Sequence, residues 1–303
     1  HLSIRRQRQM CIRDRCKLAM VLYVAHWLSS KGEKLRQVTY GLVPFAVLIG
    51  IIASLIILEP DFGTTILIVA TAATMFFIAG ADVIQLVVSG IVGGSTLLLV
   101  IANYEYAWDR IVAFSQDPFA MLQKPFDAVL ATDTYQVMHT LVTLGSGGLT
   151  GVGLGSGQQK SMLPAAESDA IFAVLGEELG LLGCLVVLGL FAGLAYRGFK
   201  IALRAEDPFG FVLASGITVW LTFQAMINVA VVTDTLPFTG LPLPFISLGG
   251  SSLVISLMGV GILLGISRGT GEKTEEPNAS VGLGRRHGRS RVSYPGRPAP
   301  YRS

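Results

Sequence analysis

Six stretches without a single charge decide what this chain can become. They are residues 42–58 ("LVPFAVLIGIIASLIIL"), 63–80 ("GTTILIVATAATMFFIAG"), 83–102 ("VIQLVVSGIVGGSTLLLVIA"), 179–196, 209–233 and 245–267. Each has about the 17–25 residues needed to cross a bilayer core as a helix. Inside hydrocarbon every backbone N–H and C=O must find its partner within the protein, and a single run of this length achieves that only as a helix. The rest of the composition agrees, with 51% hydrophobic and 14% charged residues against roughly 25% charged in soluble domains. The pattern predicts an all-α polytopic membrane protein. A shorter stretch, "KLAMVLYVAHWLSS" (17–30), adds an incomplete first span, giving about seven.

Loop charges order these spans. Lys31, Lys34 and Arg36 follow the first, Arg197, Lys200 and Arg204 follow 179–196, and eight Lys/Arg against three Glu follow the last. The alternate connections are acidic or free of base, and the long segment 103–169 carries seven acids against three bases. Excess Lys/Arg marks the cytoplasmic side. The long loop 103–169 is therefore expected outside and the carboxy terminus inside. Residues 268–303 are Gly/Pro/Arg-rich and aperiodic, an expected disordered cytoplasmic tail. The Arg-rich residues 1–16 show no apolar stripe and would lie outside against the charge rule, so they are expected to be a non-native or scar segment. The membrane domain is accordingly placed at 17–267. Cys11, Cys16 and Cys184 show neither a disulfide framework nor metal-ligand spacing. The net charge of +3 gives no reason to expect a nucleic-acid partner.

Chemistry concentrates in four places. "LEPDFGTT" (58–65) sets Glu59 and Asp61 between two spans. "GSGGLTGVGLGSGQQK" (145–160) is Gly-rich and can bring backbone N–H groups close to an anion, although composition alone favours a flexible linker. "SMLPAAESDAIFAVLGEELG" (161–180) holds Glu167, Asp169, Glu177 and Glu178 where a loop becomes a helix. Ser168 or Asp169 suits an N-cap. A half-desolvated carboxylate at such a junction also suits a general base. "TDTLPFTGLPLPFISLGGSS" (233–252) has three prolines, then Ser247, Gly249 and Gly250, which close helix packing explains. His139 is a lone histidine on an apolar face, expected to be structural. Arg110 and Lys160, two of the three bases of the outer segment, form with the Gly-rich loop and a carboxylate a candidate diphosphate site. Carboxylates at membrane depth face cavities or partners; the residues alone leave an ion site, a transport site and a reaction centre open.

In this order, "EPDFGTT", "GSGGLTGVGLGSGQQK", "LPAAESDAIFAVLGEELGLLG" and "LPFTGLPLPFISLGGSSL" resemble the motifs of the shape, elongation, division and sporulation (SEDS) family, the FtsW/RodA/SpoVE group. The resemblance implies a bundle of ten spans, of which this chain carries about seven, with a large extracytoplasmic loop. It implies a peptidoglycan glycosyltransferase that polymerises lipid II and releases undecaprenyl diphosphate, in cell division or elongation, at the bacterial inner membrane. Asp169 matches the family's catalytic aspartate, which deprotonates the attacking sugar hydroxyl. Arg110 and Lys160 match basic positions that steady the diphosphate, and Glu59, Asp61 and Ser247 are placed with them as substrate-side candidates. Here Glu167 stands where the family has a His beside the aspartate. A divalent cation (Mg or Mn) would aid diphosphate departure, but the sequence shows no ligand set for one. The implied partners are a class B penicillin-binding protein, the cross-linking transpeptidase, and other membrane proteins of the divisome or elongasome. A lipid II flippase and a non-catalytic scaffold are the alternative roles.

Overall fold

The computed structural model describes residues 2–59, 61–104, 108, 110–112, 114, 133–158 and 168–269. Lys160, Glu167 and the tail beyond residue 269 lie outside them. All regular structure among the described residues is helical: α1 (Leu2–Lys31), α2 (Val43–Ile57), α3 (Phe62–Ile78), α4 (Val83–Asn103), α5 (Asp133–Ser146), α6 (Ile171–Arg204), α7 (Pro208–Val232) and α8 (Gly250–Gly269). A π-helical turn, Val38–Leu42, leads into α2. Five helices are long and apolar enough to cross a membrane, counting 38–57 as one, and α3 is a shorter apolar helix of 17 residues.

Local chemistry sets the helix starts. Pro44 occupies the first turn of α2, where its missing N–H is not needed. Asp61 caps α3 through the Thr64 N–H at 2.9 Å. Asp207 caps α7 through the Gly210 N–H at 2.8 Å, with Pro208 behind it. Helix α7 is buried along most of its length, with α1, α3, α6 and α8 packed around it. Small residues permit these approaches: Gly198 of α6 lies against Thr218, and Gly259 of α8 faces Ile217 and Trp220. Helix α4 sits at the margin, with Ile84, Ile91, Leu98 and Leu99 exposed, as suits a face turned to lipid.

The domain boundary expected at residue 17 lies within α1. Helix α1 is continuous from Leu2 to Lys31. Asp14 and Lys17 are buried and paired at 2.9 Å, and Arg13 reaches Asp61 at 3.0 Å. A hydropathy reading passes over such residues because pairing, not apolarity, accommodates them.

Helix α6 is interrupted. At 34 residues it would run about 51 Å at 1.5 Å per residue, well past the ~30 Å hydrocarbon core. Gly180 breaks it with φ 68° and ψ −168°. The break removes the helical bonds that Leu181 and Leu182 would donate to Glu177 and Glu178. The segment after α5 replaces them one for one. Val152 N–H donates to Glu177 O at 3.0 Å and Gly153 N–H to Glu178 O at 3.1 Å; Leu181 N–H donates to Gly148 O at 3.0 Å and Leu182 N–H to Leu149 O at 3.2 Å. A side chain at Gly147 would strike the Gly176 carbonyl, and one at Gly151 the Glu178 carbonyl. The described part of the Gly-rich stretch is thus a strap inserted into the break, not a flexible linker, and its glycines are there for close backbone approach.

Candidate functional site

The non-helical segment between α7 and α8 (233–249) gathers the polar residues. It lies at the end of the bundle where α3 and α6 begin. Gly63, in the first turn of α3, abuts Thr239, whose carbonyl a Cβ at Gly63 would meet at 2.5 Å. Asp169, just before α6, lies beside Gly240, where a Cβ would be 3.3 Å from its Oδ2. Gly240 has φ 68°, a conformation that glycine adopts without strain.

The N-cap reading of Asp169 does not hold. The cap of α6 is Ala170, and no side chain caps it. What fixes Asp169 is its main chain: the Asn228 side-chain amide donates to Asp169 O at 2.7 Å. Its carboxyl group is left for chemistry. Burial pushes its pKa up from the usual 3.8 to about 6; the Ser168 side-chain hydrogen bond and the nearby Arg110 charge pull it down, and the Asp61 charge pushes it further up. Burial dominates because charge is disfavoured where water is excluded.

Three of the other residues singled out from the sequence converge here. Arg110 donates from Nη1 to Phe238 O at 2.8 Å and lies over the Phe238 ring at 5.6 Å, a geometry available to a planar guanidinium. Its field reaches Asp169, as does that of Asp61. Asp61 also accepts from the Thr64 hydroxyl at 2.8 Å. The Ser247 hydroxyl donates to Ser168 O at 2.6 Å and accepts from Leu243 N–H at 2.7 Å. Ser247 therefore acts here as a fastener of main chain, and lies outside any helix, not within the apolar span expected for it. Glu59 stands apart: it pairs with Arg13 at 3.7 Å and is half exposed, and the charges acting on Asp169 are those of Arg110 and Asp61. Glu177 is buried, with Oε1 accepting from Gln158 N–H at 2.8 Å, so it secures the strap. Among the described residues no three His, Cys, Asp or Glu side chains converge as a metal set.

The sequence reading passed over Gln224 and Asn228. They lie one turn apart on α7, both 1% exposed, and hold the segment after it: Gln224 donates to Pro242 O at 2.8 Å, and Asn228 to Leu241 O at 2.7 Å. Their signal was present as two amides four residues apart inside a charge-free run, the spacing of one helix face.

Residues 14–272 match the family model of FtsW, RodA and SpoVE, described as cell cycle proteins. A probable peptidoglycan glycosyltransferase FtsW of Trichlorobacter lovleyi is 38% identical over 257 residues, covering 84% of this chain and 64% of that one. Stage V sporulation protein E of Bacillus subtilis is 39% identical over 253 residues, covering 83% of this chain and 67% of that one. The chain thus spans about two thirds of the length of these curated relatives. Among solved structures, the rod shape determining protein RodA of Thermus thermophilus superposes with a TM-score of 0.55 at 26% identity, over 84% of this chain and 64% of that one. A chain from a structure described as "Structural coordination of polymerization and crosslinking by a peptidoglycan synthase complex" superposes with a TM-score of 0.65 at 25% identity, over 86% and 70%.

Proposed function

The chain belongs to the FtsW, RodA and SpoVE family of cell cycle proteins, and from that premise we propose that it carries the reaction centre of a peptidoglycan glycosyltransferase acting on lipid II. The observation that carries the reading is the placement of Asp169, a half-buried carboxyl group that lies beside Gly240, caps no helix and has its pKa pushed up to about 6 by desolvation. A base tuned close to working pH removes a proton and gives it up again efficiently.

In this reading ionised Asp169 takes the proton of the acceptor sugar 4-hydroxyl as its oxygen attacks the anomeric carbon of the lipid-linked chain. A glycosidic C–O bond forms, the bond from that carbon to phosphate oxygen breaks, and undecaprenyl diphosphate leaves with the electron pair. The proton passes from Asp169 to water. Arg110, held by Phe238, offsets the charge developing on the diphosphate, and Lys160, outside the described residues, joins it. Asp61 keeps the Asp169 pKa from falling further. Asn228 and Ser247 hold the main chain on which the base stands. A magnesium or manganese ion arriving with the diphosphate would help neutralise the leaving group, and chelation tests for it.

The protein is an integral membrane protein, and loop charge supports placing this end outside. Glu59, Asp61, Arg110 and residues 168–169 and 233–247 gather there, whereas the Lys/Arg-rich connections lie at the other end, where Gln85 donates to Arg36 O at 2.8 Å and His26 meets Phe209. A class B penicillin-binding protein is the proposed partner, since a cross-linking enzyme consumes the glycan made here, and the divisome or elongasome is the proposed setting.

The deciding experiment compares wild type and Asp169→Asn in the full-length natural protein with its cognate transpeptidase, measuring glycan formation from lipid II alongside lipid II binding. Loss of polymer in the variant with binding intact is expected. Equal polymer from both would overturn the assignment. No polymer from either, with lipid II still bound, would favour transport or scaffolding.

A further inference from the structure

The α7 face presenting Trp220, Gln224 and Asn228 at four-residue spacing is polar and buried. In a helix lining a bundle core, such groups are costly to bury unless they are hydrogen-bonded. Trp220 Nε1 donates to Gln224 Oε1 at 3.1 Å, and Gln224 donates onward to Pro242 O. Asn228 sits nearest the candidate base. Its single –NH2 group serves two carbonyls, Asp169 O and Leu241 O, each at 2.7 Å. These acceptors come from segments about seventy residues apart in sequence, one leading into α6 and one following α7. Only an amine-type donor with two hydrogens meets two carbonyls at once.

We propose that Asn228 is a positioning residue: its amide ties the main chain of Asp169 to that of Leu241, which holds the carboxyl group against Gly240 and keeps water from it. The proposal rests on the reading of Asp169 as the base, and goes beyond it by assigning what sets the base in place. Ser247 makes a parallel tie one residue earlier, from Ser168 O to Leu243 N–H. The two ties bracket 168–169 against 241–243, so the base is positioned from α7 and the segment after it, not by its own helix. The charged groups facing Asp169 among the described residues are Arg110 and Asp61, and Asn228 touches neither in the hydrogen bonds it makes. Its loss therefore acts through hydration of the carboxyl group and not through a changed charge.

The test uses the full-length natural protein in detergent, with Asn228→Leu as the perturbation, since Leu keeps the branching at Cγ and removes the donor. Thr218→Val is the control: it deletes a buried bond within the same helix, Thr218 Oγ1 to Ala214 O at 2.7 Å, without approaching the site. Amide hydrogen exchange of peptides covering 168–176 and 238–244 should quicken about tenfold in Asn228→Leu and stay at the wild-type rate in Thr218→Val. In lipid II polymerisation, turnover should fall roughly tenfold to a hundredfold with KM unchanged, as for a displaced reacting group. The acid limb of the pH profile should move to lower pH than in wild type, because water readmitted to the carboxyl group relieves its desolvation. Unchanged exchange in either segment overturns the tie. An unmoved acid limb, with a loss of turnover matched by Thr218→Val, overturns the positioning role and leaves Asn228 a packing residue. If Asp169→Asn polymerises normally, the base assignment fails, and the exchange measurement still decides whether Asn228 joins the two segments.

Discussion

Replacing Gly151 by alanine should unseat the strap that bridges the break in α6. Two costs add. Gly151 has φ 78°, a left-handed conformation that costs an L-residue about 1–2 kcal/mol. The new methyl would also run into the Glu178 carbonyl and the Gly180 N–H, both backbone atoms that cannot swing aside. If the strap lifts, Val152 and Gly153 leave Glu177 O and Glu178 O without partners, at about 1–3 kcal/mol for each buried group. The expected loss is about 4–6 kcal/mol. Gly155→Ala is the matched comparison, since φ is 77° there but no atom lies within 4 Å of the new methyl; it should cost only about 1–2 kcal/mol. Unfolding can be followed with a thiol-reactive dye on buried Cys184 (5% exposed), after Cys11 and exposed Cys16 are changed to Ser. At about 2–4 °C per kcal/mol for a domain of this size, Gly151→Ala should lower Tm by about 10–20 °C and Gly155→Ala by a few degrees. Equal shifts would refute the close-approach argument and leave only backbone strain.

Three further variants probe the charges. Arg110→Lys keeps the cation but loses the fork that holds Phe238 O; polymerisation should fall at least tenfold. Because the Arg110 charge lowers the Asp169 pKa, Arg110→Ala should move the acid limb above pH 6, the opposite direction to Asn228→Leu. Asp169→Asn should stabilise the fold at neutral pH while abolishing polymer. A carboxyl group raised from 3.8 to about 6 supports the fold fully below pH 4 and loses that contribution as pH rises through 6, about 2–3 kcal/mol at 1.36 kcal/mol per pH unit. The variant's Tm should therefore exceed that of wild type at pH 7.5 and converge on it near pH 4; a lower Tm at pH 7.5 would contradict the burial of the carboxylate.

The spans were legible because lipid imposes length and apolarity on contiguous residues, as in α2, α4 and α7. Asp169 and Arg110 were legible as charges of the long outer loop and Asp61 as an acid between two spans, drawn together by their family-like motifs. What was not legible depends on pairing across distance. Composition cannot distinguish a glycine that bends freely from one against which another backbone packs, so Gly147 and Gly151 read as linker. Asp169 read as a cap because the residue type suits one, whereas the cap position falls one residue later, at Ala170. Ser247 read as packing within a span because its role is to bond main chain 79 residues away. Gln224 and Asn228 went unmarked because an apolar average absorbs two amides.

The strap also bears on the order in which the chain can be assembled. Its bonds join residues about thirty positions apart, and the donor segment precedes the broken helix. By the time Gly180 leaves the ribosome, the turn that will cover the exposed carbonyls has already been made. Closing a loop of that length carries a modest entropic penalty, far below that of leaving four backbone groups bare in lipid. Helix α5, the strap and α6 can therefore enter the bilayer as one insertion unit, complete before α7 arrives to claim Asp169 from its other side.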